Sequence, residues 1–287
     1  MFYLGFLLVE QIRPIVWNKD AFDNHLVLKP SKKDLIKALV KVHIANNNSM
    51  NTDIIDGKGK GLIILLHGGP GTGKTLTAES VAEFAERPLY RVTCGDIGTD
   101  PEAVEKYLDS VLYITTAWGC VVLLDEADIF LEERTQSDLQ RNALVSVFLR
   151  VLEYYEGILI LTTNRVGTFD EAFKSRVQLA LHYPPLEELG RWEIWNNFIN
   201  ALKDDGESIN FNELQVKRDI LAKHKLNGRQ IRNTINTARQ VAKYKGEMLT
   251  FSHIDQAIEV VNEFEEYVVN THGHTDDEYA RSSGARY

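Results

Sequence analysis

Eight residues, Gly68-Gly69-Pro70-Gly71-Thr72-Gly73-Lys74-Thr75, constrain this chain more than any other stretch. They follow an apolar run, Leu62 to Leu66, and open into a helical pattern, so the spacing G-x-x-x-x-G-K-[ST] stands in its strand–loop–helix setting. A loop poor in side chains can wrap a phosphate and aim successive backbone N–H groups at it. The helix N-terminus behind it adds partial positive charge. The expected nucleotide-binding set is Gly69, Pro70, Gly71, Thr72, Gly73, Lys74, Thr75 and Leu76, with Lys74 reaching the β/γ-phosphates and the Thr75 hydroxyl ligating Mg²⁺.

Composition narrows the class further. Apolar residues make up 44% and charged residues 25% of 287, the proportions of an ordinary globular protein. A net charge of −9 provides no global basic field, so neither nucleic acid nor an anionic membrane is an expected partner. The two cysteines, Cys94 and Cys120, lie in or beside apolar strand-like runs and read as buried thiols of a reducing compartment. Met1 to Val9 lacks a basic start and a cleavage site and is too short to span a bilayer. The expectation is an intracellular soluble protein.

Four regions follow along the chain. Residues 1–60 read as an entry segment, consistent with the cut end of a longer protein. It holds a helix over 34–45 capped by Ser31, with Leu35, Ala38, Leu39 and Val42 on one face. Ile54 and Ile55 either wall an adenine ring or plug the core edge. Over 61–185 apolar strands (62–66, 89–93, 120–124, 157–163, 178–182) alternate with helical patterns near 75–86, 101–117 and 137–154. The last carries Leu139, Ala143, Leu144, Val147, Phe148, Val151 and Leu152 on one stripe. This alternation predicts an α/β domain around a parallel sheet. After Pro184-Pro185 only helices are expected, near 186–203, 209–224, 228–245 and 252–268. Ser252 to Asp255 gives the last a capping signature, and Ile254, Ala257, Ile258, Val261 and Phe264 form its stripe. Residues 186–268 thus form a small all-α domain, and 269–287 a disordered tail.

Three further constellations carry chemistry. Val121 to Leu124 deliver Asp125 and Glu126 at the carboxyl end of a strand, the end that faces ligand in open parallel sheets. Asp125 would hold Mg²⁺ through water, opposite Thr75. Glu126 would orient and deprotonate a water attacking the γ-phosphate, with Asp128 orienting its neighbours. Thr162-Thr163-Asn164 again ends an apolar strand, in an amide able to donate to the γ-phosphate or the water. Arg176 sits at a helix end just before the fifth strand. There it serves either as a finger entering a neighbouring subunit's site or as a surface arginine with a carboxylate partner. Arg141 and Arg150 fit salt bridges better than a role across a boundary. His67, just before the loop, reads as a packed strand-end residue, and the histidines show no zinc spacing.

Phosphate loop, Leu-Leu-Asp-Glu-Ala-Asp, Thr-Thr-Asn and Ser-Arg, followed by a helical domain, resemble an AAA-family ATPase over residues 55–265. The stretches 57–83 and 141–165 are similar in particular to the AAA cores of large fungal ATPases. The resemblance implies a five-stranded sheet in the order 5-1-4-3-2, a helical lid and nucleotide at their junction. It also implies a ring, usually a hexamer, with Asn164 as sensor and Arg176 acting in trans on ATP held with Mg²⁺. In the lid, Arg229 resembles a second sensor reaching the γ-phosphate, against a reading in which it solvates a helix start, and Gly228 would allow close approach to ribose or adenine. One departure is Gly95-Asp96-Ile97-Gly98, which lacks the aromatic that grips polypeptide in threading members.

The activity implied is ATP hydrolysis driving remodelling of an unidentified protein client. Alternatives are a ring subunit that holds ATP and hydrolyses it slowly or not at all, a phosphotransferase, and a DNA-directed motor. The paired acids disfavour the phosphotransferase, and the charge disfavours the DNA-directed motor.

Overall fold

Five apolar runs become five parallel strands. The structure is a computed structural model and describes residues 13–45, 59–93, 98, 100–131, 138–165 and 169–272. The strands are β1 (Leu62–Gly68), β2 (Leu89–Thr93), β3 (Val121–Asp125), β4 (Ile158–Thr163) and β5 (Leu179–Tyr183). They pair in the order β2-β3-β4-β1-β5, all parallel, which is the expected 5-1-4-3-2. Two strands run further than their apolar residues predict. Asp125 stays in the ladder opposite Thr93, and Gly68 opposite Tyr183, so the chemistry begins inside the sheet rather than after it.

Ahead of the strands lies α1 (Pro30–Ala45), and between them α2 (Lys74–Ala85), α3 (Pro101–Ala117), the single turn α4 (Asp128–Leu131), α5 (Leu139–Tyr154) and the short α6 (Glu171–Lys174). They are followed by α7 (Glu188–Asp204), α8 (Phe211–Lys223), α9 (Gly228–Lys245) and α10 (Phe251–His272). Alternation along the strands divides the core. Ile63, Leu65, Val122, Leu124, Leu159 and Leu161 pack with residues of α3 and α5, while Leu62, Ile64, Leu66, Leu123 and Ile160 pack with α1 and α2. Each such side chain contributes about 1.5–3 kcal/mol on leaving water, and this two-sided burial fixes the strand ends that carry the polar residues. A third cluster centred on Trp195, Leu214, Ile231 and Ile258 holds α7 to α10 together.

Local signals set the helix ends. The Asp100 carboxylate accepts the Ala103 N–H with Pro101 at the first position. Asp138 does the same for Arg141, and Asn227 forms a reciprocal capping box with Gln230. Several expectations need correction. The first helix begins at Pro30, so Ser31 lies inside it and is no cap; proline's fixed φ suits a helix start. Its buried residues are Ile36 and Val40, whereas Leu35 and Val42 are exposed, because docking against Phe22 and Phe84 selects the neighbouring stripe. The last helix begins at Phe251, so Ser252 is not its cap; the Thr250 N–H donates to Nδ1 of His253 instead. Leu139, in the first turn of α5, and Phe264, beyond the lid core, are exposed despite lying on apolar stripes. Residues 269–272, expected in the tail, continue α10.

Residues ahead of α1 link the two parts. The Asn18 N–H donates to Glu83 of α2 at 2.7 Å, and Phe22 packs on Phe84 with ring centroids 5.4 Å apart. From α7, the Asn197 amide donates to the carbonyls of Asn24 and His25, each at 3.2 Å. Met1 to Val9, Ile54, Ile55, Cys94, residues 95–97 and residues 273–287 lie outside the described residues. Cys120 is buried, as expected.

Candidate active site

The phosphate loop is a consequence of close backbone packing. A Cβ on Gly68 would stand 2.1 Å from the Tyr183 carbonyl oxygen, so no side chain fits where β1 ends. Gly71 and Gly73 take φ of +69° and +100°, the left-handed region where a side chain is strained. The loop then enters α2, whose first residue, Lys74, is buried. Its ammonium donates to Gly68 O at 2.8 Å, Gly69 O at 2.6 Å and Asn164 Oδ1 at 2.9 Å. These oxygens hold the cation in the interior at the mouth of the loop. Within the loop the Thr72 hydroxyl donates to Gly69 O, and Thr77 to Gly73 O. Pro70 and Leu76 are exposed.

The acid pair lies beside this loop. Asp125 is buried, and the Thr75 hydroxyl reaches both of its oxygens, Oδ2 at 3.5 Å. Oδ1 accepts from the Thr162 hydroxyl at 2.5 Å and the Thr75 hydroxyl at 3.3 Å, while Oδ2 accepts from Arg91 Nη2 at 2.5 Å. Thr162 also accepts the Glu126 N–H at 3.0 Å, so one hydroxyl ties both acids to β4. Glu126 is exposed with φ +58°, a conformation that costs a non-glycine residue on the order of 1 kcal/mol and is held by these bonds. Asp128 accepts from the Thr163 hydroxyl, which fixes the start of α4.

These oxygens suit a hard cation. A hydroxyl and a carboxylate side by side are the donors Mg²⁺ takes; Thr75 and Asp125, 3.3 Å apart, would hold it, Asp125 through water.

Arg176 stands elsewhere. It precedes β5 near the start of β1, where Gln178 donates its N–H to Ile63 O, whereas the loop follows Gly68 at the other end. One strand length, roughly 20 Å, separates the two. Its guanidinium donates to Ala172 O at 2.7 Å and pairs with Glu153 at 3.2 Å, the carboxylate partnership weighed from the sequence. Arg150 pairs with Glu105, as expected of a salt bridge.

The lid reaches the loop through the N-terminus of α9. The Gly228 N–H donates to Gly71 O at 2.8 Å, and a Cβ on Gly71 would lie 2.3 Å from Asn227 Oδ1. Arg229 follows, exposed to solvent. The sequence reading assigned no role to three residues of this site. Thr162 was passed over beside Asn164. Asn227 offers a signal only as a cap residue ahead of the 228–245 helix. Arg91, flanked by Tyr90 and Val92 in an edge strand, gave a signal only as a charge inside an apolar run.

Residues 64–185 match the family model described as the ATPase family associated with various cellular activities (AAA), and residues 186–275 match the fungal AAA+ ATPase lid domain. The chain belongs to the AAA family. It is 30% identical over 178 residues to human ATPase family AAA domain-containing protein 3B, covering 58% of this chain and 26% of that protein. It is 28% identical over 222 residues to the ATP-dependent zinc metalloprotease FtsH of Lachnoclostridium phytofermentans, covering 69% of this chain and 36% of that one. The chain spans about a quarter to a third of the length of the curated relatives it matches. Among solved structures, the ADP complex of the FIGL-1 AAA domain superposes with a TM-score of 0.61 at 20% identity, over 82% of each chain, a likeness of fold. ATP binding and hydrolysis are the activities of the family. No helix among the described residues of this AAA chain is long and apolar enough to cross a membrane.

Beside the loop of this AAA core, His67 stacks on His182 at 5.1 Å and meets Phe169 edge-on at 6.2 Å. Its Nδ1 is buried and has no hydrogen-bond partner. Burial first, then the positive neighbours His182, Lys32 and Lys74, push its pKa from 6.5 down to about 4. Between those values the unfolded chain binds more protons than the native one. Stability is therefore full above about pH 6.5 and falls as pH drops toward 4. The ring is partly open to water, so the loss is on the order of 1 kcal/mol rather than the full shift. Replacing His67 by Phe is expected to flatten the melting temperature over that range; an unchanged slope would assign it to other groups.

Proposed function

We propose that this AAA module binds ATP with Mg²⁺ and hydrolyses it within a ring of like copies, usually six, to remodel a protein client. The reading rests chiefly on one hydrogen-bonded cluster: Lys74, Asn164, Thr75 and Asp125 converge at the carboxyl ends of adjacent strands. The loop from Gly69 to Thr75, with Leu76, cradles the phosphates. Lys74 exchanges its carbonyl partners for phosphate oxygens, and Asn164, freed from Lys74, turns its amide to the γ-phosphate or the attacking water. Glu126 accepts the proton of that water. Thr75 and Asp125 would hold magnesium, which would supply neutralising charge for the phosphates. Arg176, a strand length from its own loop, releases Glu153 and completes a neighbour's site. The lid responds through Gly228, whose N–H bonds to Gly71, and Arg229 faces the nucleotide once the lid closes.

Lys74→Ala is the first test. Losing a charge-assisted bond to phosphate costs about 2–3 kcal/mol, so ATP affinity is expected to fall about 30- to 150-fold, read with a fluorescent nucleotide. Undiminished affinity in a folded variant would overturn the reading. A second reading, an ATP-holding subunit with slow or no hydrolysis, is favoured by one observation: Arg176 is already paired with Glu153. Steady-state phosphate release at concentrations that permit assembly separates the two.

A further inference from the structure

Arg91 belongs to an edge strand whose neighbouring side chain, Val92, is fully buried, while Arg91 itself lies on the open face. Its register partner on β3 is Leu123, yet its guanidinium reaches along the strand to Asp125, two residues further on. The two ends of this pair differ in environment. The Asp125 side chain is 11% exposed and that of Arg91 is 51% exposed. A carboxylate taken out of water this far requires a compensating positive charge, and Arg91 supplies one at 2.5 Å. The arginine can leave at little cost, because its head is already half in solvent and water receives it.

Thr75 reaches both oxygens of Asp125, but Thr162 and Arg91 each take one. Thr162 holds Oδ1 with a neutral hydroxyl, which is compatible with a metal nearby. Arg91 holds Oδ2 with a full charge, which is not, because a guanidinium and Mg²⁺ on one carboxylate repel each other. We propose that Arg91 is a positioning residue that stands in for the metal: it neutralises and orients Asp125 while the site is empty and gives the carboxylate up as magnesium–ATP enters. Arg91 thereby sets the magnesium concentration at which the site fills. The inference rests on the proposal that Thr75 and Asp125 hold Mg²⁺.

The test is a MgCl2 titration of fluorescent ATP binding to the full chain, with melting temperatures of the nucleotide-free protein. Arg91→Gln removes the competing charge, so the half-saturating Mg²⁺ concentration is expected to fall three- to tenfold. The empty protein should melt lower, with most of the loss recovered by magnesium and nucleotide together. Arg91→Lys keeps a point charge and should stay near the parent in both. A purely structural role would lower the melting temperature and leave the metal midpoint in place. That result, or a midpoint that rises, overturns the inference. Nucleotide binding by the parent that ignores magnesium would overturn the metal assignment itself and this inference with it. Should Arg91→Gln alone unfold, adding Asp125→Asn removes the unpaired charge and is expected to restore folding; failure to restore it counts against the pairing argued here.

Discussion

Glu126→Gln is expected to keep ATP and lose its turnover. Gln matches Glu in size and adopts the same left-handed backbone, so the Thr162 tether to its N–H survives. What it lacks is the ability to take a proton from water. General-base catalysis is worth about 10²–10⁴ in rate, and phosphate release should drop by that factor while nucleotide affinity stays within about twofold. The contrast is diagnostic, because damage to the loop or to the metal site would weaken binding as well. Phosphate release at the parent rate would remove Glu126 from its role. The same variant, stalled with ATP, is the form in which a ring should retain its client.

The second large effect is expected at Arg176. An arginine that neutralises transition-state charge is worth 10³–10⁵ in rate, so Arg176→Ala should cut hydrolysis by about 10³ without altering ATP affinity. Losing the half-buried pair with Glu153 also removes on the order of 1 kcal/mol of stability, which a melting temperature reads separately. The decisive measurement mixes two inactive proteins. A subunit lacking Arg176 still has Glu126, and a Glu126→Gln subunit still has Arg176, so at their shared boundary one site regains every group. Partial recovery at intermediate ratios is expected; its absence at every ratio would argue that Arg176 is only a structural partner of Glu153.

Much of this molecule was legible in its residues because the strong signals are local. The strands follow from apolar runs that need no knowledge of their neighbours, and they lie within a residue or two of expectation. The phosphate loop is legible as a motif, and Gly71 and Gly73 are required by their own positive φ, whereas Gly68 also answers to the Tyr183 carbonyl across the sheet. What could not be read depends on where elements meet. The choice between Leu35 and Ile36 as the buried face of α1 is made by Phe22 and Phe84, far apart in the chain. The Arg91–Asp125 pair bridges 34 positions through strand register, which no motif encodes. Glu126 was identified from its place after Asp125, but its left-handed backbone and its tether to Thr162 come only from the junction of β3 and β4.

The bonds from Asn197 to the carbonyls of Asn24 and His25 carry a mechanical implication. Because the same segment is anchored to α2 through Asn18 and Phe22, a swing of the helical domain away from the sheet stretches or breaks these bonds. Two such bonds weigh about 1–3 kcal/mol, enough to tilt a rest position several-fold to a hundredfold. Replacing Asn197 by Ala is therefore expected to shift that rest position without touching a single reacting group.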